Sequence, residues 1–152
     1  MPKFSTDHHV AHSAGDMFAL VADVEAYPQF VPLCERLAVR GRSRDGGREV
    51  LVADMTVGYK AFRETLTTRV TLDWAAGAIL ADYLDGPFRH LHSRWSFRGE
   101  GEHTCAVGFA IDYEFKSRVL AALMGGVFDR AFRKFARAFE ERADRVYGAP
   151  VA

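Results

Sequence analysis

The sequence predicts an α+β domain in which a curved antiparallel sheet of about seven strands wraps around a long C-terminal helix. Two patterns carry that expectation. Apolar and polar residues alternate with a period of two in successive stretches between Leu37 and Phe115, the mark of strands with one buried face. The chain then changes to a helical period over Ser117 to Tyr147, roughly 45 Å of helix at about 1.5 Å per residue. Each strand is apolar on one side only, so the sheet needs a cover. The last helix alone is long and apolar enough to supply it.

The elements follow in order. Lys3 to Ala11 reads as a first strand. Ser13 is a good N-cap with Asp16 three residues on, and Met17, Phe18, Leu20, Val21 and Val24 make a short amphipathic helix. Pro28 and Pro32 are expected to end regular structure, which leaves Tyr27 to Cys34 as an unusually apolar loop. Leu37 with Val39 marks the next strand, and Leu51, Ala53, Met55 and Val57 mark another. In the clearest strand, Phe62, Glu64, Leu66, Thr68, Val70 and Leu72 share one face. Ile79 with Tyr83 follows. Then Leu91, Ser93, Trp95 and Phe97 form an inward row, as do Cys105, Val107, Phe109, Ile111, Tyr113 and Phe115. Short links, including Asp45-Gly46-Gly47 as a hairpin turn, imply antiparallel meander pairing. On the final helix Leu120, Leu123, Met124, Val127, Ala131, Phe135 and Ala138 form an apolar stripe widened by Phe128, Phe132 and Phe139. The opposite face carries Arg130, Arg133, Arg137, Glu140 and Glu141.

Composition narrows the function classes. The chain has 152 residues, which suits one domain with its own core. Twenty basic residues balance twenty acidic ones, so no global field recruits nucleic acid, and no DNA partner is expected. Two cysteines, Cys34 and Cys105, suggest buried thiols in a reducing compartment rather than a disulfide framework. No apolar run reaches the roughly 18 residues of a membrane span, so the expectation is a cytoplasmic protein, or one peripheral to the inner membrane.

Several groups invite a chemical reading. Glu64 falls on the inward row of its strand, where a carboxylate needs a partner or stays protonated. It is either a polar contact for a ligand, an acid/base group, one arm of a salt bridge to an arginine near the sheet edge, or turned outward by a local bulge. Gly125-Gly126, in mid-helix, costs about 1 kcal/mol per glycine relative to alanine. The pair marks close approach of helix to sheet, space for a ligand, or a hinge. His90 and His92 share a strand face and His8, His9 and His12 cluster, but neither set has metal-ligand spacing, and no metal is expected. No nucleotide, phosphate-loop or hydrolase motif is present, and no cofactor is expected. Arg130, Arg133, Lys134 and Arg137 form a basic strip that is either solvated or available to phospholipid or RNA. Inward aromatic residues are abundant, and periodicity leaves open whether they fill the interior or line a tunnel.

The segment L-V-A-D-V-E-A-Y-P-Q-F-V-P-L-C, Leu20 to Cys34, resembles the coenzyme-Q-binding START-like family, which includes bacterial RatA-type proteins. F-R-E-T-L-T-T-R-V at Phe62 to Val70 and G-P-F-R-H-L-H-S-R-W-S-F at Gly86 to Phe97 are similar to it as well, and the resemblance spans nearly the whole chain. It implies the helix-grip fold of START-like, polyketide-cyclase-like proteins, and binding of a polyprenyl quinone or other lipid rather than catalysis. For the RatA-type branch it implies ribosome association as the alternative role. Tyr27, Phe30, Val31, Pro32 and Cys34 match the loop motif and are expected to form one mouth of the cavity. Phe62, Glu64, Phe88 and Trp95 match the strand motifs and are expected to form pocket wall and head-group contact. Met55, Phe109, Met124, Val127 and Phe128 join them from the inward rows. Transient contact with a membrane surface fits the same expectation.

Overall fold

The computed structural model describes residues 3–148. Seven strands and two α-helices follow in the order β1 (Lys3–Val10), α1 (Ala14–Ala22), β2 (Cys34–Asp45), β3 (Arg48–Tyr59), β4 (Phe62–Asp73), β5 (Ala78–Asp85), β6 (Phe88–Gly101), β7 (Thr104–Phe115) and α2 (Arg118–Tyr147). All strands are antiparallel in one sheet of order β1-β7-β6-β5-β4-β3-β2. β2 to β7 therefore form an unbroken meander, and the first strand closes against the last. Gly46 and Gly47, both with positive φ (57° and 85°), make the two-residue turn between β2 and β3.

Both helices start on a serine. The Ser13 hydroxyl accepts from the Asp16 amide at 3.1 Å, and that of Ser117 accepts from the Leu120 amide at 3.1 Å. Each such cap contributes about 1 kcal/mol. Between α1 and β2 the chain does not become a loop at once. Val24–Gln29 winds into a 3-10 helix with Pro28 inside it, because proline lacks an amide donor but tolerates the φ of a short, tight turn.

α2 crosses the concave side of the sheet off centre, closest to β7, β1 and α1. Polar contacts hold its C-terminal half. His8 Nε2 lies 2.6 Å from Glu140, and the buried His12 lies 2.6 Å from Asp144. Arg142 donates to Gln29 at 2.7 Å, and the Tyr147 hydroxyl donates to the Asp16 carbonyl at 3.0 Å. Glu140 thus belongs to the inner side of α2, not to its solvent face. The basic strip is exposed and partly paired along the helix, Arg133 with Asp129 and Arg137 with Glu141.

The core is aromatic. Phe88 is fully buried and contacts Tyr83, Tyr113, Phe115 and Phe128 with ring centroids 4.8–6.1 Å apart. The pairs with Tyr83 and Tyr113 are edge-to-face and that with Phe115 is stacked; aromatic pairs of these kinds add about 0.5–1.5 kcal/mol each beyond the area they bury. Trp95 meets Phe109 at 4.5 Å and Phe139 at 4.9 Å.

Candidate functional site

Because α2 leans toward β7 and β1, the inward rows of β2 to β6 are not fully covered. A cavity of about 120 Å³ lies between them and the helix. The register explains its place. Ala53 on β3 pairs with Thr68 on β4, and Ala81 on β5 pairs with both Val70 on β4 and Ser93 on β6. Ala53, Thr68, Ala81 and Ser93 all point to the cavity, and Ala131 faces them from α2. Small side chains on neighbouring strands, opposite a small residue on the cover, leave room that the surrounding aromatic rings do not fill.

The lining is almost wholly apolar. Its side-chain polar groups are the hydroxyls of Thr68, Ser93 and Tyr27 and the indole N–H of Trp95. The Tyr27 hydroxyl is committed, donating to the Val21 carbonyl at 2.5 Å. Burial, with smaller contributions from Cys34 and Asp23, pushes its phenol far above the ordinary range, so it stays neutral. The cavity therefore offers two uncharged hydroxyls and the Trp95 indole N–H in an apolar wall, and no ionised side chain.

Of the residues expected at a ligand site, Tyr27, Pro32, Met55, Phe88, Trp95, Phe109 and Phe128 line the cavity. The others do not, for identifiable reasons. Phe30 turns away from the sheet, edge-on to Phe139 at 5.0 Å and beneath the Arg142 guanidinium. Val31 and Cys34 are buried in the core outside the lining. Met124 and Val127 sit before Phe128 on α2, and the cavity begins only at Phe128. Phe62 and Glu64 share the face of Leu66 near the start of β4 but are not in the lining, although Glu64 pairs with the cavity-lining Val57. Phe62 is half-buried against Phe128 at 6.1 Å, and Glu64 is exposed. Glu64 is thus not a buried carboxylate: its side chain reaches solvent although its partner in the register, Val57, is buried.

Two further expectations change. A side chain added at Gly125 meets nothing within 4 Å, and one at Gly126 meets only the Arg130 guanidinium. The glycines therefore do not serve close approach of helix to sheet. The histidines form carboxylate pairs, His90 with Asp112 at 3.0 Å and His92 with Asp82 at 2.7 Å. No group of three or more metal-ligating side chains is gathered among the described residues. Burial pushes the thiols of Cys34 and Cys105 up to about 11, which keeps them protonated and weakly nucleophilic near neutrality.

Leu33 is a lining residue with no sequence signal. Its φ of 69° is left-handed, and its carbonyl is held by the Gly58 amide at 3.0 Å. A non-glycine residue in that region costs about 1–2 kcal/mol. The strain sits in the cavity wall next to Pro32.

Residues 10–140 match the family described as "Polyketide cyclase / dehydrase and lipid transport". The chain belongs to that family. It is 33% identical over 98% of its length to the ribosome association toxin RatA of Escherichia coli K12, covering 91% of that protein. It is 30% identical over 93% of its length to the mitochondrial coenzyme Q-binding protein COQ10 of Drosophila melanogaster, covering 58% of that longer chain. Among solved structures, the 18 kDa protein CC1736 of Caulobacter crescentus superposes with a TM-score of 0.79 at 35% identity, over 98% of this chain and all of that one. The Zhui aromatase/cyclase of Streptomyces superposes at 0.80 over 95% of this chain and 94% of that one, but at 18% identity that likeness shows the fold alone. The sequence relatives are named for coenzyme Q binding and for ribosome association, neither an enzymatic activity. No helix among the described residues is long and apolar enough to cross a membrane.

Proposed function

We propose that this protein binds ubiquinone or a close lipid relative between the sheet and α2, and carries it in support of respiration or of ubiquinone synthesis. The observation that carries the reading is the apolar cavity, whose side-chain polar groups are the Thr68 and Ser93 hydroxyls, the committed Tyr27 hydroxyl and the Trp95 indole N–H. A quinone ring is flat and apolar with carbonyl acceptors at its edge, and two neutral hydroxyl donors in a greasy wall match it. The cavity's size fits the ring alone, since a void of about 150 Å³ holds a benzene. A polyprenyl tail needs α2 to move. The polar ties described above gather on the C-terminal half of the helix. Gly125 and Gly126 lie on the other half, where a side chain would meet nothing at Gly125 and only the Arg130 guanidinium at Gly126. The N-terminal half is thus the part free to lift, with Phe62 at the rim. The absence of an ionised group or thiolate at the cavity favours carriage over catalysis. Organic extraction of the purified protein followed by mass spectrometry tests the proposal. Bound quinone supports it; lipid-free protein that also fails to saturate with added quinone refutes it.

Relatives named for ribosome association, matched over nearly the whole chain, favour a second reading. Here the exposed strip of Arg130, Arg133, Lys134 and Arg137 is the contact for ribosomal RNA. Zero net charge weakens the long-range attraction such a partner uses. Added protein that leaves the ribosome sedimentation profile unchanged removes this reading.

A further inference from the structure

We propose that the N-terminal end of α2, with the β3–β4 and β5–β6 turns beside it, is a docking face for an anionic lipid bilayer. The proposal rests on the carrier reading, since a water-insoluble ligand has to be collected from a membrane.

The charge pattern of α2 is divided sharply. Arg118 is the one charged residue among the ten of Arg118–Val127, whereas ten of the twenty in Phe128–Tyr147 are charged. The first turns are apolar on both sides. Met124 is buried on the inner side, while Val119, Ala122, Leu123 and Gly126 are exposed on the outer side, Val119 and Leu123 to 69% and 70%. A helix apolar all round belongs in a non-aqueous setting; here no protein covers its outer side.

The topology brings more apolar surface to the same end. β3, β5 and β7 finish there, and α2 starts there. Tyr59 at the tip of β3 and Leu84 near the end of β5 are both exposed. The charges beside this surface favour phosphate over protein. Lys60, Lys116 and Arg118 are exposed and none forms an ion pair among the described residues; they outnumber the unpaired exposed carboxylates at this end, Asp85 at the end of β5 and Glu64 near the start of β4. The first turn of α2 holds no acidic residue. Apolar side chains edged by unpaired basic ones suit a headgroup boundary. Phe62, at the rim next to Phe128, lies between this face and the cavity.

The test is co-sedimentation of the full chain with phosphatidylcholine vesicles, with and without phosphatidylglycerol. Quinone uptake is followed separately by Trp95 fluorescence, with a short-chain ubiquinone in vesicle-free buffer. Binding is expected to be strongest to anionic vesicles. Val119→Asp with Leu123→Asp is expected to weaken it about tenfold or more. Lys116→Glu with Arg118→Glu removes the anionic preference, and Val146→Asp, exposed at the far end of α2, changes nothing. Quinone uptake in buffer stays intact in all of them. Wild-type protein that takes up quinone but ignores vesicles overturns the docking face and leaves the carrier reading standing; failure of both removes both. The bilayer assignment also falls if Leu123→Asp abolishes uptake in buffer, which would make the face part of the lid. It falls equally if sedimentation shows this face closing a dimer.

Discussion

Filling the cavity separates a ligand site from a packing defect. Ala131 projects from α2 into the space opposite Ala81 and Ser93. A void of about 120 Å³ costs the fold about 3 kcal/mol at roughly 24 cal/mol per Å³. Ala131→Leu adds three carbons into that space and keeps helix propensity almost unchanged. It is expected to recover about 1–2 kcal/mol, which raises the melting temperature of a domain this size by about 2–8 °C. The same side chain would occupy the place of the quinone ring, so affinity for a short-chain ubiquinone should fall at least about tenfold. Thermal unfolding followed by circular dichroism reads the first effect, and quenching of Trp95, which lines the cavity, reads the second. A destabilisation of about 1–3 kcal/mol, the cost of overpacking a filled core, refutes the void. Stabilisation with unchanged quinone affinity refutes the site.

Other perturbations give independent checks. Thr68→Val with Ser93→Ala removes both free hydroxyls; quinone affinity measured by titration should fall about fivefold to a hundredfold, at one net hydrogen bond of about 0.5–1.5 kcal/mol each, while folding stays intact. Gly125→Ala with Gly126→Ala should stabilise the protein by about 1–2 kcal/mol in urea unfolding, because nothing at Gly125 and only a flexible arginine at Gly126 opposes a methyl group. If bending of α2 admits the ligand, stopped-flow uptake by that variant should also slow. Asp112 has its carboxyl held below the usual range, chiefly by the His90 hydrogen bond and also by Lys3. The stability from that pairing is present above the ordinary aspartate pKa and lost as pH falls through the lowered one. Asp112→Asn should therefore lower the urea midpoint near pH 6 and lose its effect toward pH 3. Cys34 and Cys105, pushed up to about 11, should react with a maleimide at pH 7 far more slowly in the native protein than after unfolding.

Much of the fold was legible because its signals are local. Period-two rows in Phe62 to Asp73 and Thr104 to Phe115 became β4 and β7, and Ser13 is the cap its spacing suggests. The cavity depends on what lies opposite what, which is a property of register and helix placement. Ala53, Thr68, Ala81 and Ser93 stand in different strands, and only pairing gathers them. Their small size within otherwise bulky inward rows was the available signal, and the large aromatic residues drew attention from it. Glu64 has the inward parity its strand predicts, yet parity says nothing of whether a long polar side chain reaches solvent, and the residue is exposed. Leu33 could not be found from sequence, because a left-handed leucine leaves no compositional trace.

The most direct test of the central claim is the ligand itself. Protein purified from a quinone-producing host, washed free of detergent and extracted into organic solvent, should yield a polyprenyl quinone in proportion to protein, and Ala131→Leu prepared in parallel should yield much less. Equal traces from both, or an apo protein that ubiquinone does not saturate, would contradict the account.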